Sequence, residues 1–389
     1  MFKNKIYNYI SSEFLKSFIL ILSSLSLIAW TVRAVNFLDL IVDSGYSTST
    51  YFLYSLLNIT NIITKFIPLS FLLALLFTII KLERQNELLV LWTSGISKIK
   101  ISNLFFKLSL FVLLLYILFS TLITPTALNH SRNLIKESGV DTISNLLKPN
   151  VFSDTFKGLT FYVGNKKNNV IENIFIKDDG NNLNNFLPDK SISRNQTIIA
   201  EKGIINESKI ILEDGIIQSL DKDNNLKIVQ FDKTLLNFSD YDNRVIREAK
   251  IQETSTIKII TCIKNFYQNK FDNSQVIKNC PKKNISVIIE TLSRRLIMPI
   301  YIPVVSLLLS FLLIYKKNKK SNVYSRYTFF IFGFILLVFA ELLVRYTGLS
   351  NINFYTYLMT PLIILPLLFF ILLKKFKKEF KWAIKLITI

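Results

Sequence analysis

Six long apolar blocks constrain this chain more than any other feature. They run near Phe14–Val32, Ile62–Ile80, Ile101–Ile123, Leu296–Tyr315, Tyr327–Val344 and Phe354–Leu373. Each approaches or exceeds the roughly 18 apolar residues that mark a helix able to cross a bilayer. The second block extends back toward Phe52, with the polar stretch Asn58–Lys65 inside it. The first is long and no small-x-small cleavage site follows it, so it is expected to be a retained span rather than a removed leader. Three blocks precede a long polar middle and three follow it. The expected fold class is an α-helical membrane protein with six transmembrane helices, arranged 3+3 around an inserted domain.

Charge separates this class from its main competitor. The chain carries 47 Lys+Arg against 27 Asp+Glu. In a soluble protein that excess would point to nucleic acid. Here half of the residues are hydrophobic and they are gathered in blocks, so a membrane, not a nucleic acid, is the expected partner. Richness in Asn, Lys and Ile is what an AT-rich coding sequence gives, and it inflates Lys without a functional cause. It does not explain where the charges sit. Lys3, Lys5, Lys81, Arg84, Lys98, Lys100, Lys316, Lys317, Lys319, Lys320, Arg326 and the tail from Lys374 to Lys378 share one side of the membrane. The opposite short loops, Ala34–Tyr51 and Thr347–Tyr355, contain no Lys or Arg. The positive-inside rule then places both termini in the cytoplasm and the middle of the chain outside it. The basic tail reads as an anchor on anionic lipid.

The middle, about 124–290, changes character. Pro125 is expected to end the third helix, and Asn129–Lys148 reads as a polar, partly helical connector. Short alternating runs follow: Leu159–Val163, Ile171–Ile176, Gln196–Ala200, Lys209–Leu212, Gly215–Leu220 and Leu226–Phe231. The turn signals Asp178-Asp179-Gly180, Asp214-Gly215 and Asp223-Asn224-Asn225 separate them. This is the pattern of an antiparallel all-β sandwich or open roll. The expected divisions are 1–123, with a cytoplasmic helix at 81–97; 124–290, the β-domain; and 291–389. Cys262 and Cys280 are the only cysteines. An oxidising compartment permits a disulfide between them, and spacing alone does not require one.

No catalytic constellation is present. His130 is the single histidine and stands apart from any cluster at metal-ligand spacing, so no metal and no cofactor are expected. There is no G-x-x-x-x-G-K-[ST] phosphate loop, so hydrolysis of ATP must be a partner's work. Nor do paired acidic residues sit mid-membrane as a proton relay requires.

Two features carry chemistry. The cytoplasmic loop Lys81–Gly95 reads as a short amphipathic helix with Leu88, Leu91 and Trp92 on one side and Glu83 and Glu87 at i,i+4 on another. Gly95 suits its C-terminal stop. A helix lying on lipid favours Lys and Arg on its polar face; two carboxylates favour docking on a cationic protein surface. The second feature is positive charge at outer-leaflet depth. Arg33 ends span one. Lys65 lies fifteen residues before Ile80, about 23 Å of helix. Arg345 lies nineteen residues beyond Arg326, about 28 Å. Ionisable residues in spans are functional candidates by default, and an anionic headgroup such as a phosphorylated lipid is the natural ligand. Two plainer readings stand beside that one: pairing of Glu341 with Arg345 at i,i+4, and snorkelling of Arg33.

These residues resemble a known family, the LptF/LptG permeases. Asn86-Glu87-Leu88-Leu89-Val90-Leu91-Trp92-Thr93-Ser94-Gly95-Ile96-Ser97 is similar to that family's coupling helix, S-E-[LI]-x-V-M-x-A-x-G-x-S. Glu87, Leu88, Val90, Gly95 and Ser97 match, whereas Leu91, Trp92 and Ser94 depart, with a bulky Trp where the family is usually small. Ile67-Pro68-Leu69-Ser70-Phe71-Leu72 is similar to its L-P-L-S-L-F in span two. Arg295-Leu296 followed by Pro299 is a looser match entering span four, and Glu290 is displaced from the family's preceding acidic residue. Leu212-Glu213-Asp214-Gly215-Ile216-Ile217 resembles a strand–turn–strand of its periplasmic jellyroll. An LptF-like subunit is preferred over an LptG-like one, on span two and the entry to span four.

The resemblance implies a permease of the bacterial inner membrane that has no ATPase site of its own. It implies a paralogous permease subunit, an LptB-type ATPase dimer on the coupling helices, and transfer of lipopolysaccharide through the periplasmic jellyroll domains to LptC and LptA. Glu87, with Glu83 and Arg84, would then contact the ATPase. Arg33, Lys65 and Arg345 would face lipid phosphates or a lateral gate, an assignment that rests on depth. The alternatives are a permease for another lipid or lipoprotein, and a membrane-anchored β-domain scaffold that transports nothing. Lipoprotein exporters usually insert the outer domain after the first span; here it follows the third.

Overall fold

A computed structural model describes residues 2–38, 41, 47–138, 147, 149–156, 158–167, 169–178, 194–206, 209–220, 226–237, 250–267, 285–314 and 319–387. Six of the described helices are long and apolar enough to cross a membrane: Lys5–Asn36, Thr48–Arg84, Lys98–Ile135, Ile285–Leu313, Tyr324–Val344 and Asn351–Lys377. In hydrocarbon each backbone polar group must be satisfied within its own segment, which is why these apolar runs are helical throughout. In chain order the helices are α1 (Phe2–Asn36), α2 (Thr48–Arg84), α3 (Glu87–Thr93), α4 (Lys98–Leu118), α5 (Thr124–Ser138), α6 (Thr256–Tyr267), α7 (Ile285–Leu296), α8 (Tyr301–Ser310), α9 (Lys319–Val344) and α10 (Asn351–Ile387). The chain divides into two compact units.

The first unit, 1–31, 58–129 and 249–389, holds most of the membrane helices. The second and fourth spans are its centre, with 67% and 78% of their most apolar windows buried, against 11–22% for the other four. Phe14, Ile67, Phe71, Leu75, Ile101, Phe105 and Val305 form its core. The third span departs from expectation. Pro125 does not end it: α4 runs through one π-turn, Phe119–Ile123, straight into α5. Proline has no N–H for the carbonyl four residues earlier, Thr121. That carbonyl instead accepts a hydrogen bond of 3.0 Å from Thr256 Oγ1, on the helix that follows the β-domain in sequence. The break that proline threatens is repaired from outside the helix, so the helix continues.

The second unit, 32–57 and 130–248, holds six antiparallel strands in one sheet, ordered as they occur in sequence. They are β1 (Ser153–Phe156), β2 (Leu159–Lys167), β3 (Val170–Asp178), β4 (Arg194–Asn206), β5 (Lys209–Leu220) and β6 (Leu226–Asn237). The inserted all-β domain is thus a continuous meander among its described strands, without the crossed strand order of a jellyroll. The turn expected at Asp214-Gly215 is not a turn. One strand, β5, passes straight through it, with Asp214 in the left-handed region at φ 54°. Gly215 is needed there, because a Cβ would meet Ile199 O and the Phe231 ring at 2.5 Å. The signals at 178–180 and 223–225 fall largely outside the described residues.

Asp214 belongs to a row that crosses the sheet. The paired register skips Gly164 opposite Asn173, Asn173 opposite Glu201, Glu201 opposite Asp214, and Asp214 opposite Asp232. On either side of this row the buried face changes parity. In β3 Ile171 is buried on one side of the row, and Ile174 and Ile176 on the other. In β4 the buried residues change from Ile198 and Ala200 to Gly203 and Ile205; in β5 they change from Ile210 and Leu212 to Ile217 and Ser219. A row of this kind is a crease, built like a bulge repeated in neighbouring strands. It lets one sheet present both halves to the common core of Phe161, Ile174, Ile198 and Leu212.

Candidate functional site

The membrane unit holds an open cavity of about 750 Å³, lined by the second, third, fourth and fifth spans. Lys65, Pro68, Tyr116, Ser120 and Thr124 line one part, and Glu290, Arg294, Arg295, Glu341 and Arg345 another. Pro68 sits inside α2 and removes the donor that the Thr64 carbonyl would otherwise receive. Thr64 and Thr124 share a hydrogen bond of 2.8 Å between buried hydroxyls, which ties the second span to the third. Four cations and two carboxylates face one space, so the wall carries an excess of positive charge. Charge in such a setting is costly unless it is paired.

The pairing is specific. Arg294 holds Glu290, one helical turn away, at 3.1 Å, and also pairs with Glu341 of α9. Glu341 is therefore engaged by Arg294, and the alternative i,i+4 pair with Arg345 is not present among the described residues. Arg345 is exposed and has no ion-pair partner among the described residues. Arg295, 4% exposed, has no carboxylate in its hydrogen-bonding shell among the described residues. It donates to Gln252 O at 2.9 Å, to Thr254 O at 3.0 Å from both terminal nitrogens, and to Thr256 Oγ1 at 2.8 Å. Thr256 in turn donates to Thr121 O. A single hydroxyl thus links the buried guanidinium of the fourth span to the proline-repaired turn of the third.

The second candidate is the cytoplasmic corner after the second span. The helix expected over 81–97 is divided. Lys81–Arg84 ends α2, Asn86 turns the chain at φ 58°, and α3 covers only Glu87–Thr93. Asn tolerates this left-handed conformation better than most residues. The corner removes Glu83 and Glu87 from a common helix, so they do not form the expected i,i+4 acidic face. Glu83 pairs with Arg326 at 2.9 Å, and Glu87 accepts a hydrogen bond from Tyr9 at 3.0 Å. Beside them Glu13 pairs with Lys81. Leu88 and Leu91 are buried in the membrane unit's core. Trp92 is half-buried, with Lys98 Nζ 5.8 Å from its ring centroid. Leu89 and Val90 are 53% and 61% exposed, and Arg84 is exposed.

Gly95 ends α3 as expected. It sits at φ 79°, its N–H bonds to Trp92 O, and the next N–H, of Ile96, bonds to Leu91 O. This is the two-bond Schellman closure, with Ile96 and Leu91 both buried to supply its usual apolar contact.

The sequence model described as lipopolysaccharide export system permease LptF/LptG matches residues 8–375. The chain belongs to the LptF/LptG permease family. It is a multi-pass membrane protein and a permease component of a lipopolysaccharide export system. The family model covers both kinds of subunit under one description, so the match does not separate LptF from LptG. The permease is also similar to the uncharacterized protein RP871 of Rickettsia prowazekii (strain Madrid E): 23% identical over 304 residues, covering 75% of this chain and 77% of the relative.

The permease brings Lys65 and Arg345 into one cavity, a juxtaposition that the sequence alone does not give. Arg33 is in the last turn of α1 and belongs to the other unit. The sequence reading missed the Arg294–Glu290–Glu341 cluster as a site. Its signal was legible as spacing: Glu290 and Arg294 are i,i+4 just before the fourth apolar block. The partner Glu341 comes from the fifth span and could not be assigned without packing. His130 is exposed, and no group able to hold a metal ion occurs among the described residues. Cys262 is disulfide-bonded; Cys280 lies outside the described residues.

Proposed function

We propose that this subunit helps extract lipopolysaccharide from the outer leaflet of the bacterial inner membrane, with the headgroup's phosphates drawn to the cavity of Lys65, Arg294 and Arg345. The excess of cations over carboxylates in that cavity carries the reading. An anion with several charges matches a wall on which cations outnumber carboxylates. The orientation supports it: both termini are cytoplasmic by the distribution of Lys and Arg, and residues 124–290 are periplasmic. A disulfide-bonded Cys262 fits an oxidising compartment. Arg33, at the outer end of the first span, contributes to the lateral gate.

Energy comes from an LptB-type ATPase dimer docked on the coupling corner. Glu87 commits one carboxylate oxygen to Tyr9, and Glu83 is held by Arg326. These contacts set the angle of the corner, while exposed Leu89, Val90 and Arg84 meet the ATPase. Leu88, Leu91, Trp92 and Gly95 hold the helix in place. A paralogous permease completes the lateral opening. Lipid passes to the β-domains and on to LptC and LptA. β6 supports that last step: it is an edge strand with Leu226, Ile228, Val229 and Leu235 exposed, the kind of edge that pairs with another sheet.

Native mass spectrometry of the complex, gently extracted from its own membrane, tests the proposal. A second six-span subunit, an ATPase dimer and a lipopolysaccharide-sized mass are expected. A chain that retains no ATPase and no glycolipid would refute it.

A further inference from the structure

Arg294 is the most heavily contested group in the cavity. Glu290 reaches it from the same helix, one turn away, and Glu341 reaches it from α9. The three side chains are not equally enclosed. Arg294 and Glu290 are 26% and 28% exposed, whereas Glu341 is 43% exposed. Glu341 is thus the partner that can leave at lower desolvation cost, and it leaves by movement between two spans rather than within one. Glu290 stays with Arg294 by helix geometry. Glu341 also lines the same cavity as Lys65 and Arg345, so an anion bound among these cations meets the Glu341 carboxylate directly.

We propose that Glu341 is a competitive latch: it occupies Arg294 when the cavity is empty, and an entering headgroup takes Arg294 only by displacing it. This rests on the reading of the cavity as the lipid site. The latch sets specificity. A displaced carboxylate remains in the cavity and repels the anion that replaced it. Lys65 and Arg345 offset that repulsion only when the ligand itself engages them. A headgroup with several phosphate charges can hold Arg294 and the other cations together. A phospholipid with one phosphodiester charge must choose, and it loses to Glu341. Glu341 is a specificity-determining residue on this account, and the Arg294–Glu341 contact between the fourth and fifth spans is present only while the cavity lacks its lipid.

The test uses the whole permease complex in nanodiscs of phosphatidylglycerol, with lipopolysaccharide titrated in and retained lipid weighed by native mass spectrometry. Wild type is expected to retain lipopolysaccharide over phosphatidylglycerol. Glu341→Gln removes the competing charge and leaves Arg294 with Glu290. It should narrow that preference about tenfold, the scale of one charge-assisted hydrogen bond, by raising retained phosphatidylglycerol. Glu341→Asp keeps the charge and should hold the wild-type ratio, which a merely space-filling role for Glu341 does not predict. An unchanged ratio in Glu341→Gln, with lipopolysaccharide still bound, overturns the latch. So does a collapsed preference in Glu341→Asp, which stands even if the glutamine variant does not assemble. Failure of the wild-type complex to retain lipopolysaccharide overturns the underlying site and the latch together.

Discussion

Thr256→Val keeps the outline of the side chain and deletes one hydroxyl. That hydroxyl donates to the Thr121 carbonyl, which Pro125 has left without its helical donor, and accepts from Arg295. An enclosed carbonyl without a partner costs about 1–3 kcal/mol. The loss to Arg295 is smaller, because the same terminal nitrogen also donates to Thr254 O at 3.0 Å. We expect Thr256→Val to destabilise the chain by about 2–4 kcal/mol, read as unfolding free energy in mixed micelles. The specific claim lies in the double-mutant cycle. Pro125→Ala restores an N–H at the position that serves Thr121 O, so in that background the orphaned carbonyl disappears from the cost of Thr256→Val. The two substitutions should couple by about 1–2 kcal/mol. A coupling below about 0.5 kcal/mol, with both single variants folded, would refute the idea that Thr256 substitutes for the proline's missing donor.

Other outcomes follow from the same geometry. Gly95→Ala puts a side chain at φ 79° with nothing within 4 Å of its Cβ, so the penalty is purely conformational, about 1 kcal/mol; Gly95→Asn should recover most of it in a thermal melt. Glu83→Arg should loosen the coupling corner and lower ATPase-coupled transport, and Arg326→Glu in the same chain should restore part of it. Leu89→Asp together with Val90→Asp should abolish co-purification of the ATPase while leaving the melting temperature within a degree or two, since both side chains are exposed. Val229→Lys, on the exposed edge strand, should reduce crosslinking to a periplasmic β-partner without unfolding the sheet.

Much of the architecture is legible in the sequence because hydrocarbon leaves so few options. The spans, the family resemblance and the glycine stop at Gly95 all follow from local pattern. The errors have a common physical cause, which is that a local rule was answered from elsewhere in the chain. Pro125 reads as a helix end, and Thr256, 131 residues later in the sequence, supplies the missing donor. Pairing of Glu341 with Arg345 at i,i+4 is one of two readings open at that position, and Arg294 of another span takes the carboxylate instead. Asp214-Gly215 reads as a turn because its backbone chemistry is that of a turn; the neighbouring strands absorb it as a crease. Asn86 hides a corner inside what reads as one amphipathic helix, since a single left-handed residue leaves no mark on hydrophobic periodicity.

The crease in the β-domain acts as a registration mark. Each of the strands β3 to β5 reverses its inward-facing set at the same row, so two neighbours fit only when their reversals coincide. Slippage by one residue in an ordinary sheet exchanges its two faces. Slippage by two residues restores the faces and is the harder error to exclude. Here a two-residue slip would leave a short stretch in which one strand has reversed and its neighbour has not, setting core residues against solvent-facing ones. The row from Gly164 to Asp232 therefore penalises the slip that simple alternation cannot detect, and a domain whose last described strand carries an exposed apolar face is held to one alignment.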